Sequence, residues 1–192
     1  RWALQAGTSH FFGQNFARAF DIEYLDRNNE LQHCWTTSWG LSTRMVGAII
    51  MAHGDDQGLR LPPRLAPQQV VVVPIWRQEE QRAGVLAAAE RVVAALRGRF
   101  RVKVDAREEL TPGYKFNDWE MRGVPLRIEI GPRDVENQAV VLARRDVPGK
   151  PGKSSVAMDG LADSVGAALE AIQADMLAAA TAFRDANIHT AR

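Results

Sequence analysis

Val70-Val71-Val72-Val73-Pro74-Ile75-Trp76 is a nearly unbroken apolar run rich in β-branched residues. Such a run suits a strand covered on both faces, as in a parallel sheet. Glu79 to Arg97 follows with helical spacing: Val85, Ala88, Ala89, Val92, Val93 and Leu96 fall on one stripe, and Gly98 ends it. Phe100-Arg101-Val102-Lys103-Val104-Asp105 then alternates like a second strand. Strand, helix and strand make a βαβ unit. Beyond it, Thr111-Pro112-Gly113 reads as a turn, and Asn117 to Arg122 as a short helical segment closed by Gly123. Leu126 to Ile130 and Ala139 to Ala143 read as two more strands with a turn around Gly131-Pro132. Pro148-Gly149-Lys150-Pro151-Gly152-Lys153 reads as a surface loop. Gly160 to Phe183 is one long amphipathic helix for which Asp159 is the expected N-cap. The sum is a compact α/β domain.

Upstream, Leu59-Arg60-Leu61-Pro62-Pro63-Arg64-Leu65-Ala66-Pro67 cannot continue a helix or a central strand and forms an extended connector. The segment before it differs in character. Ala19 to Tyr24 and Gln32 to Thr36 look like antiparallel strands joined through Asp26-Arg27-Asn28-Asn29, and Ser42 to Met51 looks like a helix entered through a turn at Trp39-Gly40. It is too small and irregular for a complete domain, and the start, Arg1-Trp2-Ala3-Leu4-Gln5, resembles a cut inside a longer protein. The expected organisation is therefore 1–66, the end of one domain; 67–153, an α/β core; and 154–192, a long helix completing that core and leading toward a further C-terminal region.

Charge is uneven. Residues 1–66 hold 6 Lys/Arg against 6 Asp/Glu, 67–153 hold 16 against 12, and 154–192 hold 2 against 5, so a polyanion would dock on the middle third. The single cysteine, Cys34, excludes an internal disulfide framework and a multi-cysteine zinc site, and favours a reduced, cytoplasmic setting. No run of 18 apolar residues is present to span a membrane.

Gly149 to Ser154 ends in Gly-Lys-Ser, but Val147 stands where a phosphate-binding loop needs Gly. His10, His33, His53 and His189 show no metal-ligand spacing, and His53-Gly54-Asp55-Asp56 reads as a polar turn in preference to a metal site. Two polar clusters in apolar surroundings remain: Gln5-Ala6-Gly7-Thr8-Ser9-His10, and Thr36-Thr37-Ser38-Trp39-Gly40-Leu41-Ser42-Thr43-Arg44. Arg44, in the first turn of a helix, is placed to clamp a phosphate. A capped helix with Arg44 in a surface ion pair accounts for the same residues equally well.

Both clusters resemble segments of prolyl-tRNA synthetases. Gln5 through Phe16 is similar to the stretch lying near that family's proline pocket. Thr37 through Arg44, continuing through His53-Gly54-Asp55 and Leu61 to Pro67, is similar to class II motif 3 and its exit, in the archaeal/eukaryotic-like form. Pro112-Gly113-Tyr114-Lys115-Phe116-Asn117-Asp118-Trp119-Glu120 and Glu129-Ile130-Gly131-Pro132-Arg133-Asp134 are similar to the family's anticodon-binding domain. The resemblance covers nearly the whole chain in the expected order.

It implies a fold: an anticodon-binding α/β domain with a mixed, partly parallel sheet flanked by helices, preceded by the end of an antiparallel-sheet class II catalytic domain. It also implies a proline–tRNA ligase that activates proline with ATP and Mg2+ and transfers it to proline tRNA, as a homodimer in the full-length protein. By the same resemblance Arg44 is the catalytic arginine on ATP phosphate, Gln5, Thr8 and Ser42 hold ATP, Gln5 is also the candidate Mg2+ contact, and His10 and Trp39 border proline. Glu120 and Arg127 would read anticodon base edges, with Lys115 and Lys153 on phosphates or base edges. The plainer reading of Glu120 and Arg127 is an intradomain salt bridge, and that of Trp119 is core. Motifs 1 and 2 have no counterpart in these residues, so the chain alone is expected not to charge tRNA. The rival readings are a non-catalytic synthetase-like module that binds RNA or protein, and a small α/β nucleotide-binding protein.

Overall fold

The computed structural model describes residues 3–188. His189, noted above, lies outside them. The chain forms two compact units, residues 1–51 and 52–192, so the division falls ahead of the proline connector, and residues 52–66 pack with the α/β part.

In the first unit, β1 (Thr8–Gly13) pairs antiparallel with β4 (Thr36–Gly40), and β2 (Glu23–Leu25) pairs antiparallel with β3 (Leu31–His33). A short helix, α1 (Asn15–Ala19), follows β1, and α2 (Arg44–His53) follows β4. The expected turn through Asp26 exists. Its carboxylate accepts the amides of Asn28 at 2.8 Å and Glu30 at 3.0 Å, substituting for the backbone pairing a sharp reversal gives up. Two expectations fail here. Ala19 belongs to a helix and not to a strand, and Trp39-Gly40 ends β4 instead of forming a turn, because the ladder with β1 runs to the pair Thr8–Gly40.

The second unit is built on a five-stranded sheet. Its elements are β5 (Val70–Pro74), α3 (Glu79–Leu96), β6 (Val102–Val104), α4 (Pro112–Met121), β7 (Leu126–Ile130), α5 (Pro132–Glu136), β8 (Ala139–Arg144), β9 (Lys153–Ala157) and α6 (Leu161–Asp185). Strand order is β6-β5-β7-β8-β9, parallel across the first three and antiparallel across the rest. Val70 to Val73 are fully buried because both sheet faces are covered; each contributes roughly 1.5–3 kcal/mol of burial. On one face Val70, Val72, Leu126, Ile128 and Leu142 pack against α3 and α6. On the other, Val71 and Val73 meet Trp119 and Val124 beneath α4.

Four local expectations are corrected. Thr111-Pro112-Gly113 is not a turn: Thr111 is the N-cap of α4, its hydroxyl accepting the Tyr114 amide at 3.3 Å, and Pro112 occupies the first helical position. Pro132 likewise opens α5. The loop from Pro148 ends in a 3-10 turn at Lys150–Gly152, and Lys153 starts an edge strand. The cap of α6 is Gly160, at φ +66°, in place of Asp159.

The connector is fastened down. The guanidinium of Arg101 donates to the carbonyls of Ala66 at 2.9 Å, Pro63 at 3.0 Å and Arg64 at 3.4 Å, and the Gln69 amide to Pro63 at 3.2 Å. Further upstream, Gly58 at φ +124° lies so close to α4 that a Cβ there would fall 2.5 Å from the Met121 Cα.

Candidate functional site

The β1–β4 ladder pairs Thr8 with Gly40 and His10 with Ser38. Alternation along a strand therefore sets these four residues on one face of the ribbon and Ser9 and Trp39 on the other. The Gln5 amide donates to the Thr8 hydroxyl at 2.6 Å, and an Arg44 guanidinium nitrogen donates to the Gln5 carbonyl oxygen at 3.1 Å. The Ser42 hydroxyl accepts the Arg44 amide at 3.3 Å, in the turn that leads into α2. All six residues singled out in this segment, Gln5, Thr8, His10, Trp39, Ser42 and Arg44, line one cavity of about 410 Å³. Arg44 makes no ion pair among the described residues. Trp39 pairs with Ser9 on the opposite face from His10, whose ring stacks on Phe12 at 5.3 Å; both side chains are exposed.

Sequence reasoning placed Ser38 and Gly40 in a polar cluster, and Gly40 as a point of close backbone approach, but assigned Ser38 no role of its own; both line the cavity. The strand register was the missing information: once Thr8 meets Gly40, residues 38 and 40 must share the face of His10. A Cβ on Gly40 would meet nothing within 4 Å, so the ribbon is open there.

Mg2+ requires oxygen ligands and prefers carboxylates and phosphates. The cavity lining carries no carboxylate, and the Gln5 carbonyl oxygen already accepts from Arg44. These residues offer the cation only neutral oxygens and do not form a Mg2+ site by themselves.

A second constellation is carried by α4 and the sheet. Phe116 and Glu120 stand one turn apart on α4, and Arg127 and Glu129 share a face of β7. Strand register places Arg127 opposite Ala143, and Ala143 opposite Lys153, so the two cations lie in one row across three strands. Arg127 donates to Glu120 at 2.8 Å and to Glu129 at 3.0 and 3.1 Å; the Lys153 ammonium reaches both Glu129 oxygens at 2.7 and 2.8 Å. The Arg127 guanidinium lies 3.9 Å from the centroid of the Phe116 ring, and Lys153 lies 5.5 Å from it. The intradomain salt bridge weighed for Glu120 and Arg127 is thus formed, and it is one edge of a four-residue network on an aromatic floor. Phe116 and Glu129 were missed; the i, i+4 spacing from Glu120 and the i, i+2 spacing from Arg127 would have found them.

Lys115 lies elsewhere. It is buried, and its ammonium donates to the Asp105 carbonyl at 3.3 Å. The expectation of a phosphate contact required it at the surface, and burial removes it from there. Trp119 is core, as its plainer reading held: its indole N–H donates to the Asp105 carboxylate at 2.8 Å, and Lys103 and Arg122 flank the ring. Burial of Asp105 opposes its ionisation, but hydrogen bonds from Arg107 and Trp119 outweigh that and hold the carboxyl at about 2.

Glu129 also borders a cavity of about 580 Å³ at the C-terminal ends of β5 and β7, lined further by Trp76, Arg77, Gln81 and Arg133. Crevices in this position are the usual ligand sites of open α/β sheets. Arg77 and Arg133 carry no ion pair among the described residues, which leaves two cations for an anionic visitor.

Residues 69–167, from the residue before β5 into α6, match the model of the anticodon binding domain family. The chain belongs to that family. The matched stretch contains the Glu120–Arg127–Glu129–Lys153 network and the second cavity. This anticodon-binding-domain chain is also 60% identical over 189 residues to the proline–tRNA ligase of Chloroflexus aurantiacus, covering 98% of the chain and 39% of that protein. It is 58% identical to the proline–tRNA ligase of Roseiflexus sp. (95% and 38%), and 56% identical to the chloroplastic/mitochondrial proline–tRNA ligase of Arabidopsis thaliana (98% and 35%). The chain spans about two fifths of the length of these curated relatives. Among the described residues no helix is long and apolar enough to cross a membrane.

Proposed function

We propose that this chain is the motif 3 and anticodon-recognition part of a proline–tRNA ligase: a catalytic-domain end up to residue 51, then an anticodon-binding domain that takes in the proline connector and is closed by β9 and α6. The observation that carries the proposal is one polypeptide that supplies both a polar cavity around Arg44 and a charged, aromatic-floored network within an anticodon-binding domain. In the first, Arg44 holds ATP phosphate while the proline carboxylate attacks the α-phosphate and the bond to the β-phosphate breaks, releasing pyrophosphate. A preorganised cation there stabilises charge that develops in the transition state. Gln5, Thr8 and Ser42 position the nucleotide, His10 the proline, and Trp39 the wall beside it. Any Mg2+ here would be held chiefly by the nucleotide phosphates, with the Gln5 carbonyl oxygen, now bound to Arg44, as its one candidate amide ligand.

In the second, splayed anticodon bases of proline tRNA meet Glu120 first, and Arg127, buried beside it and bound to Glu120 and Glu129, reaches a base only by exchanging one of those pairs. Glu accepts from guanine N–H groups and Arg donates to O6 and N7. Phe116 offers a stacking surface, Lys153 tunes Glu129, and the cavity beside Glu129 takes an adjacent nucleotide with its phosphate near Arg77 and Arg133. The full-length homodimer and a reducing, cytoplasmic setting belong to the same proposal.

Filter binding of proline tRNA, compared with a transcript carrying altered anticodon bases at two salt concentrations, tests it. Loss specific to the altered anticodon at both salts is the expected result. Equal binding of both RNAs that vanishes with salt would leave only phosphate attraction and overturn base reading.

A further inference from the structure

Residues 53–61 form a strap across the C-terminal end of α4. The Asp55 amide donates to the Gly58 carbonyl and the Gly58 amide to the Asp55 carbonyl, each at 3.0 Å, closing a tight loop. The Leu59 amide donates to the Met121 carbonyl at 3.0 Å, and the Leu61 amide to the Gly123 carbonyl at 3.2 Å. At its centre stands Arg145, whose side chain is only 3% exposed. Its guanidinium donates to both Asp55 carboxylate oxygens, at 2.6 and 2.9 Å, and through Nε to the backbone carbonyl of Glu120 at 3.1 Å. The side chain of that same Glu120 holds Arg127 at 2.8 Å.

Two physical facts give this arrangement direction. The last carbonyls of a helix lack intrahelical donors, and a cation at that end is favoured by the helix dipole. Arg145 adds a charged donor to the Glu120 carbonyl, which also accepts the Gly123 amide at 3.0 Å, and so places a cation at the end of α4 on the residue whose carboxylate enters the charged network. A buried guanidinium also needs its carboxylate, and Asp55 responds in kind: the Arg145 hydrogen bonds hold its carboxyl at about 2.

We infer that Arg145 and Asp55 are positioning residues for anticodon discrimination, fixing the Glu120 backbone so that its carboxylate and Arg127 present one geometry to the RNA. The inference rests on Glu120 as a base reader and adds residues that touch no base themselves. Arg145→Lys keeps the charge but not the fork that joins two partners, and Asp55→Asn keeps the shape but not the charge.

The test uses the full-length ligase carrying Arg145→Lys, Asp55→Asn or Glu120→Gln. Each variant is assayed for proline-dependent ATP–pyrophosphate exchange without tRNA, and for charging of proline tRNA and of an anticodon-altered transcript. For Arg145→Lys and Asp55→Asn, exchange should be unchanged, while kcat/KM for proline tRNA falls about tenfold, mostly through KM, as expected for a weakened charged hydrogen bond. Charging of the altered transcript should fall much less, so the discrimination ratio collapses toward one. A purely structural role would reduce both RNAs in proportion and leave the ratio intact, which overturns the inference. If Arg145→Lys fails to fold, the half-exposed Asp55 carries the test alone. Glu120→Gln separates the two claims: if it loses discrimination while Asp55→Asn and Arg145→Lys keep it, only the positioning role falls. If Glu120→Gln keeps discrimination, base reading falls and the positioning role with it.

Discussion

Arg44 shows how much one side chain's surroundings say. It stands at the first position of α2 with no carboxylate partner among the described residues, hydrogen-bonded instead to a neutral amide, Gln5. An arginine left unneutralised beside a cavity is available to an anion. Arg44→Ala in the full-length ligase should lower kcat for proline-dependent pyrophosphate exchange roughly 10²–10³-fold, with little change in tRNA binding. Asp105 is the opposite case, a buried carboxylate saturated by Arg107 and Trp119. Its folded pKa, about 2, lies below the ordinary carboxylate value, so its contribution is complete above that ordinary value and is lost as pH falls toward 2. Asp105→Asn should therefore cost on the order of 2 kcal/mol at pH 7 and flatten the loss of stability between about pH 5 and 2, read by urea unfolding across pH. The salt bridge between Glu120 and Arg127 was foreseen as the plainer reading of those two residues, while Glu129, two positions along the same strand, was not. Lys115 was misjudged because nothing in a linear sequence reveals that a lysine turns inward to a backbone carbonyl.

Among the elements, β5, α3 and β7 could be read directly, since burial on both faces or on one stripe imposes a pattern on composition. The edge strand β9 could not. Lys153-Ser154-Ser155-Val156-Ala157 is mostly exposed, so nothing forces it to alternate. The start of α4 was hidden because Pro and Gly suit both a turn and a first helical turn. Close backbone packing is equally invisible to pattern, yet it makes a sharp forecast. Gly58→Ala must force a left-handed conformation and a collision with the Met121 backbone, whereas Gly113, in the first turn of α4, has open space around it. Gly58→Ala should lower stability by roughly 2 kcal/mol or more, and Gly113→Ala by nothing or should raise it slightly, as denaturant midpoints will register.

For the whole molecule, the net charge of the middle third overstates what RNA can find. Arg82, Arg107, Arg122, Arg127, Arg144, Arg145 and Lys153 all face carboxylates within the protein. Only cations free of such partners, Arg77 and Arg133 among them, can release counterions cleanly on binding. The logarithm of tRNA affinity should thus fall against the logarithm of salt with a slope of magnitude roughly 2–4, well short of what sixteen cations would give. A much steeper slope would mean that RNA dismantles the internal pairs.

The fastening of residues 53–66 bears on where the five-stranded lobe can be cut free. A recombinant lobe begun at residue 68 would strand the Arg101 guanidinium without its three carbonyls, leave Arg145 buried without Asp55, and bare the end of α4. One begun at residue 52 keeps all of these. The shorter lobe should melt on the order of 10 °C lower, since an unpaired buried arginine alone costs several kcal/mol.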